Sequence, residues 1–197
     1  MRHHLHRKYE PLQRSEDSDL YRTYRPSRPG QMKPDALLDL ESFQRQAPQE
    51  RKTHQAIAKK LRKVQGKTLD AAFHTAHQAV FEEIDCLNCG HCCRTVGPLF
   101  LEADIDRLAK HLKMKPAEFM QDYLRRDEDG HWVLQSLPCP FLGADNYCSV
   151  YEVRPKACRS YPHTNHRKMH QHLNLAARNA EHCPAVYRIL RVVYDQV

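Results

Sequence analysis

Four cysteines fall within eight residues, Cys86-Leu-Asn-Cys89-Gly-His-Cys92-Cys93, and four more follow singly at Cys139, Cys148, Cys158 and Cys183. The first 85 residues contain none. No other feature restricts the fold as much, because thiols so crowded point to a shared ligand. A C-x2-C step in a tight turn lets two sulfurs converge on one ion, and Gly90 supplies the backbone freedom for amide groups to approach them. Thiolates suit zinc, copper(I) or iron–sulfur units. Cys92 and Cys93 are adjacent, and neighbouring side chains diverge in either strand or helix, so the two do not readily aim at one tetrahedral centre. Eight thiols divide into two sets of four, for example Cys86, Cys89 and Cys92 with one distant cysteine, and Cys93 with the others. Spacing alone leaves the pairing open.

It leaves the metal open too. Four sulfurs, or three and a histidine, make a structural zinc site. The triple C-x2-C-x2-C with a remote Cys-Pro also echoes iron–sulfur ligation, and the chain has both Cys139-Pro140 and Cys183-Pro184. All eight cysteines are candidate ligands, with a buried core thiol as the plain alternative for Cys183. Arg94, Arg154 and Arg159 lie beside candidate ligands, where their charge would offset a thiolate site; ordinary surface ion pairs are the alternative. His91 sits inside the run. His163, His166, His170 and His172 follow Cys158, and His166 with His170 would share a face if helical; each is a zinc ligand or a surface residue. His3, His4 and His6 could take up metal adventitiously.

Composition sets the need for such cross-links. Of 197 residues, 41% are hydrophobic and 8% aromatic, and the mean hydropathy is −0.77, which gives a thin core that metal staples would reinforce. No run of 18 apolar residues exists, and the start lacks the apolar region of a secretory signal, so a cytoplasmic location is expected. Thiols there stay reduced, which favours metal ligation over disulfides.

Residues 1–50 are proline-rich and polar, and read as a largely disordered leader with one helical turn near Asp35 to Phe43. Over 51–85, Ile57, Leu61, Val64, Leu69, Phe73, Ala76, Val80 and Ile84 recur mostly at three- and four-residue steps, which predicts an amphipathic helix ended or kinked at Gly66. Its first part, 51–67, carries a charge of +7 out of a chain total of +7. Such a helix can contact nucleic acid or another partner, or it can be the solvated face of a packed helix; the second is preferred because no nucleic-acid motif accompanies it. Residues 86–183 form the cysteine domain, with helices expected at Leu101 to Leu112 and from Pro116, a turn at Asp127 to Gly130, and strands at His131 to Leu134 and around Tyr147 to Tyr151. A helix over 184–197 completes an α+β fold, helix-rich with a short β-hairpin.

The run Cys86-x2-Cys89-Gly-x-Cys92-Cys93-Arg, with Cys139-Pro-Phe-Leu, Cys148-Ser-Val-Tyr-Glu-Val-Arg-Pro and Cys158-Arg-Ser-Tyr-Pro, resembles the CxxCxxCC, or YkgJ-like, cysteine-cluster family over about residues 86–162. The resemblance implies a zinc- or iron-chelating domain and assigns no reaction. A similar cluster occurs in bacterial flagellin lysine methylases, which makes an iron–sulfur enzyme or redox protein one alternative. A zinc-ribbon-like adaptor contacting nucleic acid through 51–67 is another. No Gly-rich nucleotide loop supports the first.

Overall fold

Apolar residues at helical spacing carry most of the architecture, as the computed structural model shows for the residues it describes, 40–197. Helix α1 (Leu40–Gln46) buries Phe43. Helix α2 (Arg51–Leu61) buries Ile57, Ala58, Leu61 and His54, and α3 (Gly66–Glu83) buries Leu69, Phe73, Ala76 and Val80. The break between α2 and α3 lies at residues 62–65, and Gly66 opens the second helix.

At the other end of the chain, Pro184 starts α10 (Pro184–Gln196), whose Val186, Ile189, Leu190 and Val193 form the buried stripe. Helix α10 packs along α3, and α2 packs along α9 (Leu173–Asn179). These helices enclose a first hydrophobic core that includes Phe43, Phe73, Leu173, Ile189 and the thiol of Cys183. Of the expected 1–50 leader, residues 1–39 fall outside the described residues; Leu40 onward forms α1, and Phe43 and Ala47 lie in this core.

The middle of the chain builds a second core. The cysteine run itself forms α4 (Cys86–Cys89) and α5 (His91–Thr95), just ahead of the sheet in the chain. Strands β1 (Leu99–Phe100), β2 (Leu124–Arg126) and β3 (Trp132–Leu134) form an antiparallel sheet in the order β1-β3-β2, with Phe100 opposite Trp132 and Leu124 opposite Leu134. Helices α6 (Glu102–His111) and α7 (Pro116–Tyr123) cover it. Each helix start is fixed by an acid three residues in: Leu101 N–H donates to Asp104 at 3.1 Å and Lys115 N–H to Glu118 at 3.1 Å. Phe100, Leu108, Phe119, Leu134, Phe141 and Val150 make up most of this second core.

The fold is therefore α+β and helix-rich. One expected strand is absent: Tyr147 to Tyr151 contributes only an isolated bridge between Leu142 and Cys148, followed by a 3-10 turn at Tyr151–Val153. The strands beside β3 come instead from Leu99–Phe100 and Leu124–Arg126, of which Phe100 and Leu124 enter the second core. Among the described residues no helix is long and apolar enough to cross a membrane.

Candidate metal centre

The cysteine run lies where the two cores meet. Asp85 caps α4, accepting the Leu87 N–H at 2.9 Å, and Gly90 ends the turn in the left-handed region at φ 55. A side chain at Gly90 would meet the guanidinium of Arg94 at 2.6 Å and Asn146 at 3.2 Å. Glycine is thus needed for both backbone and space. Through that gap Arg94 donates to the Asn146 carboxamide and to the Cys89 carbonyl, while Asn146 donates to the Asn88 carbonyl at 2.9 Å. The run is thereby tied to the loop carrying Cys139 and Cys148.

A second tie is made of backbone alone: the Cys139 N–H donates to the Cys93 carbonyl at 2.8 Å. The turn from Cys139 to Ser149 closes through Gly143 N–H to Tyr147 O at 2.7 Å and Ser149 N–H to Phe141 O at 2.8 Å. Cys139 and Cys148 thus pack together on the second core. Cys158 arrives on α8 (Lys156–Ser160). The first turn of that helix is held by Asp104, which accepts the Lys156 N–H at 3.0 Å, while Arg107 donates to the carbonyls of Val153 and Arg154. Burial would raise the Asp104 carboxyl, but bonds from Arg107 and from the N–H groups of Leu101 and Lys156 outweigh it and hold the group below its usual range.

Electrostatic neighbours separate the thiols along the same line. For Cys86, after desolvation, the largest influence is Cys183, then Cys89. Cys92 is raised first by a hydrogen bond with Cys93, then by burial, with Cys183 and Cys86 also facing it. Cys93 is the exception: the bond from Cys92 lowers it, against the effect of burial, and Arg94 assists. Cys158 is pushed up to about 12 by burial and by Cys93, Cys139 and Cys148. Burial also raises Cys139 and Cys183, each to about 11. Cys86, Cys89 and Cys92 therefore neighbour Cys183 on the first core, while Cys93 neighbours the three thiols on the second and also acts on Cys86 and Cys89.

All eight cysteines are free thiols. Four sulfurs around one zinc, at about 2.3 Å each, would lie roughly 3.8 Å apart. Among the described residues the trio of donors mutually within 4.8 Å is Asp127, Asp129 and His131, so the sulfurs are gathered but must close inward to share an ion. Asp127 Oδ1 already accepts the N–H groups of Asp129 and His131 as part of a turn.

The donor chemistry nonetheless fits a thiophilic ion, and a buried hydroxyl supports it. Tyr161 is raised by burial, with Cys183, Cys92 and Cys86 as its next influences; its buried hydroxyl faces the Cys183 thiol, the one group that acts on it as a bonding partner, without reaching full hydrogen-bond geometry among the described residues. Sequence reading passed over Tyr161, although it stands in Cys158-Arg-Ser-Tyr161-Pro. Only its position against Cys183, 22 residues on, reveals it.

The other predicted residues divide. Arg94 acts on Cys89 and Cys93, and Arg154 on Cys148 and Cys158. Arg154 also lies 3.7 Å over the Tyr151 ring. Arg159 is exposed and is not among the charges that shift any thiol. His91 is buried, turned to Phe43 and to Gln44 at 3.3 Å. His166 and His170 do not share a helical face, because 166–168 is non-helical and Met169–Gln171 is a 3-10 turn; the rings that meet are His163, His166 and His172. In the basic run, Lys60 donates to Tyr194 at 2.5 Å, Arg62 to Asn174 at 2.7 Å, and Arg51 pairs with Glu181 at 3.4 Å. These cations brace the helical layer, which favours the packed-helix reading.

The family model CxxCxxCC, described as "Putative zinc- or iron-chelating domain", matches residues 85–184, just over half of the chain. No curated protein and no solved structure matches.

Proposed function

Because the chain belongs to the CxxCxxCC family, we propose that it is a cytoplasmic metal-chelating protein whose thiolates hold zinc or an iron centre in two sets. Cys86, Cys89, Cys92 and Cys183 form one set, on the helical core. Cys93, Cys139, Cys148 and Cys158 form the other, on the sheet core. The observation that carries the division is the backbone bond from Cys139 to Cys93 at 2.8 Å, which draws Cys93 toward the second core while Cys183 is buried in the first. The adjacent pair Cys92 and Cys93 is then the seam, each side chain serving its own side. Eight free thiols are in keeping with a reducing compartment.

Arg94 and Arg154 offset the negative charge of the second set, and the Tyr161 hydroxyl supplies a donor to a Cys183 thiolate in the first. Binding deprotonates the raised thiols, so metal uptake releases protons and weakens in acid. Metal also ties the two cores together, since the run is a short link between them.

Metal analysis of protein purified without oxygen, with its visible spectrum, tests this. We expect about two centres per chain, colourless if zinc and coloured if iron–sulfur. Cys183→Ser and Cys158→Ser should each remove about half the metal, with circular dichroism confirming that each variant is folded. No stoichiometric metal would overturn the function, and complete loss in either folded variant would overturn the division into two sets.

A further inference from the structure

We propose that His163 and His166 form the core of a separate metal site, built from imidazoles, for a borderline divalent ion such as zinc. His163 Nδ1 and His166 Nε2 lie 3.3 Å apart. Two nitrogens bound tetrahedrally at about 2.0–2.1 Å from one zinc are themselves roughly 3.3 Å apart, so the pair already has the bite of a chelate. His172 stacks on His166 with ring centres 4.7 Å apart. Its nitrogens lie outside the 4.8 Å spread of the pair, so water or another donor completes the shell.

The loop bearing these rings is fixed by bonds that leave the imidazoles out. Asn179 donates to the Pro162 carbonyl at 3.2 Å. From α3, His77 bonds to the hydroxyl of fully buried Thr164 at 2.9 Å, and His74 to Asn165 at 2.7 Å. Asp70 accepts the N–H groups of Lys168 and Met169 at 2.8 and 2.7 Å. The two histidines of α3 thus hold the residues between His163 and His166, while among the described residues the rings of His163 and His166 hydrogen-bond to each other. His163 itself adopts φ 65, a left-handed conformation that strains a non-glycine residue, and that conformation sets the direction of its ring.

Electrostatics agree. Burial lowers His163 and His166, and the neighbouring imidazoles lower them further. At neutral pH the rings are uncharged and keep a lone pair for an ion.

Adding cobalt(II) to the full chain, with its thiols as purified, tests the site. An ion held by nitrogen and oxygen gives only weak visible bands, whereas thiolate ligation adds intense near-ultraviolet charge transfer. We expect about one cobalt per chain of the first kind, lost in His163→Gln/His166→Gln and kept in His3→Gln/His4→Gln/His6→Gln. If the double variant fails to fold, His166→Gln alone decides, by an affinity lowered at least about tenfold. Absence of this ion, its retention by the double variant, or near-ultraviolet bands on it would overturn the proposal and leave the 3.3 Å contact as an N–H···N bond. Absence of thiolate bands altogether counts against the cysteine centres and not against this site.

Discussion

The carboxylate of Asp104 accepts the backbone N–H of Lys156 at 3.0 Å, across 52 residues of chain. It is 2% exposed and also holds Arg107, so one buried acid joins the helix over the sheet to the helix that carries Cys158.

Asp104→Asn should therefore destabilise the fold by about 2–4 kcal/mol, because Arg107 and the Lys156 N–H lose a charged acceptor in a buried place. The group lies below its ordinary 3.8. Its contribution is present above that value and lost as pH falls through the folded value. Urea denaturation between pH 3 and 7 should show that slope in the wild type and a shallower one in the variant. Faster loss of metal from the Cys158 set should accompany it.

His54 is fully buried, and among the described residues neither ring nitrogen has a hydrogen-bond partner; Glu50 is 3.8 Å away. Burial, the largest influence, lowers it from 6.5, although the Glu50 charge pulls the other way. The unfolded chain takes the proton first, so stability is full above about 6.5 and lost as pH falls below it. Melting temperature compared at pH 7.5 and 5.5 should drop for the wild type and drop less for His54→Leu. Equal drops would remove His54 as the cause.

Tyr161→Phe removes a buried hydroxyl that faces only the weak acceptor of the Cys183 thiol when no metal is bound. The metal-free variant should be as stable as the wild type to within about 1 kcal/mol, because only a weak contact to sulfur is lost. With metal, the lost donor to Cys183 should lower affinity about 10–100-fold, read by chelator competition. A purely space-filling tyrosine would leave affinity unchanged.

Gly90→Ala places a methyl 2.6 Å from the Arg94 guanidinium at φ 55. Left-handed strain and loss of the Arg94 to Asn146 bond should together cost about 1–3 kcal/mol. Metal should leave both sets faster, since the run would loosen from the loop of Cys139. Stopped-flow chelation measures this.

Much of the fold was legible because periodicity reports burial directly. The stripes of α3 and α10 are the apolar residues at three- and four-residue steps, and the acids after Leu101 and Lys115 mark helix starts. The strand expected near Tyr147 failed because a short apolar run between turns suits a bridge as well as a ladder, and only partners decide. His166 and His170 misled for a related reason: i and i+4 share a face only in a helix, and His163 and Lys168 both turn left-handed.

The sequence by itself determined the donors, their crowding, the glycine the run requires and the family to which the chain belongs, since these depend on residue type and local spacing. Which distant cysteine faces which part of the run was decided only by tertiary structure. Cys183 joins the helical core because it precedes an apolar helix packed on α3, and Cys139 reaches Cys93 through a backbone bond that no side-chain pattern records. Tyr161 and the facing imidazoles belong to the same class: their meaning lies in what the folded chain sets beside them.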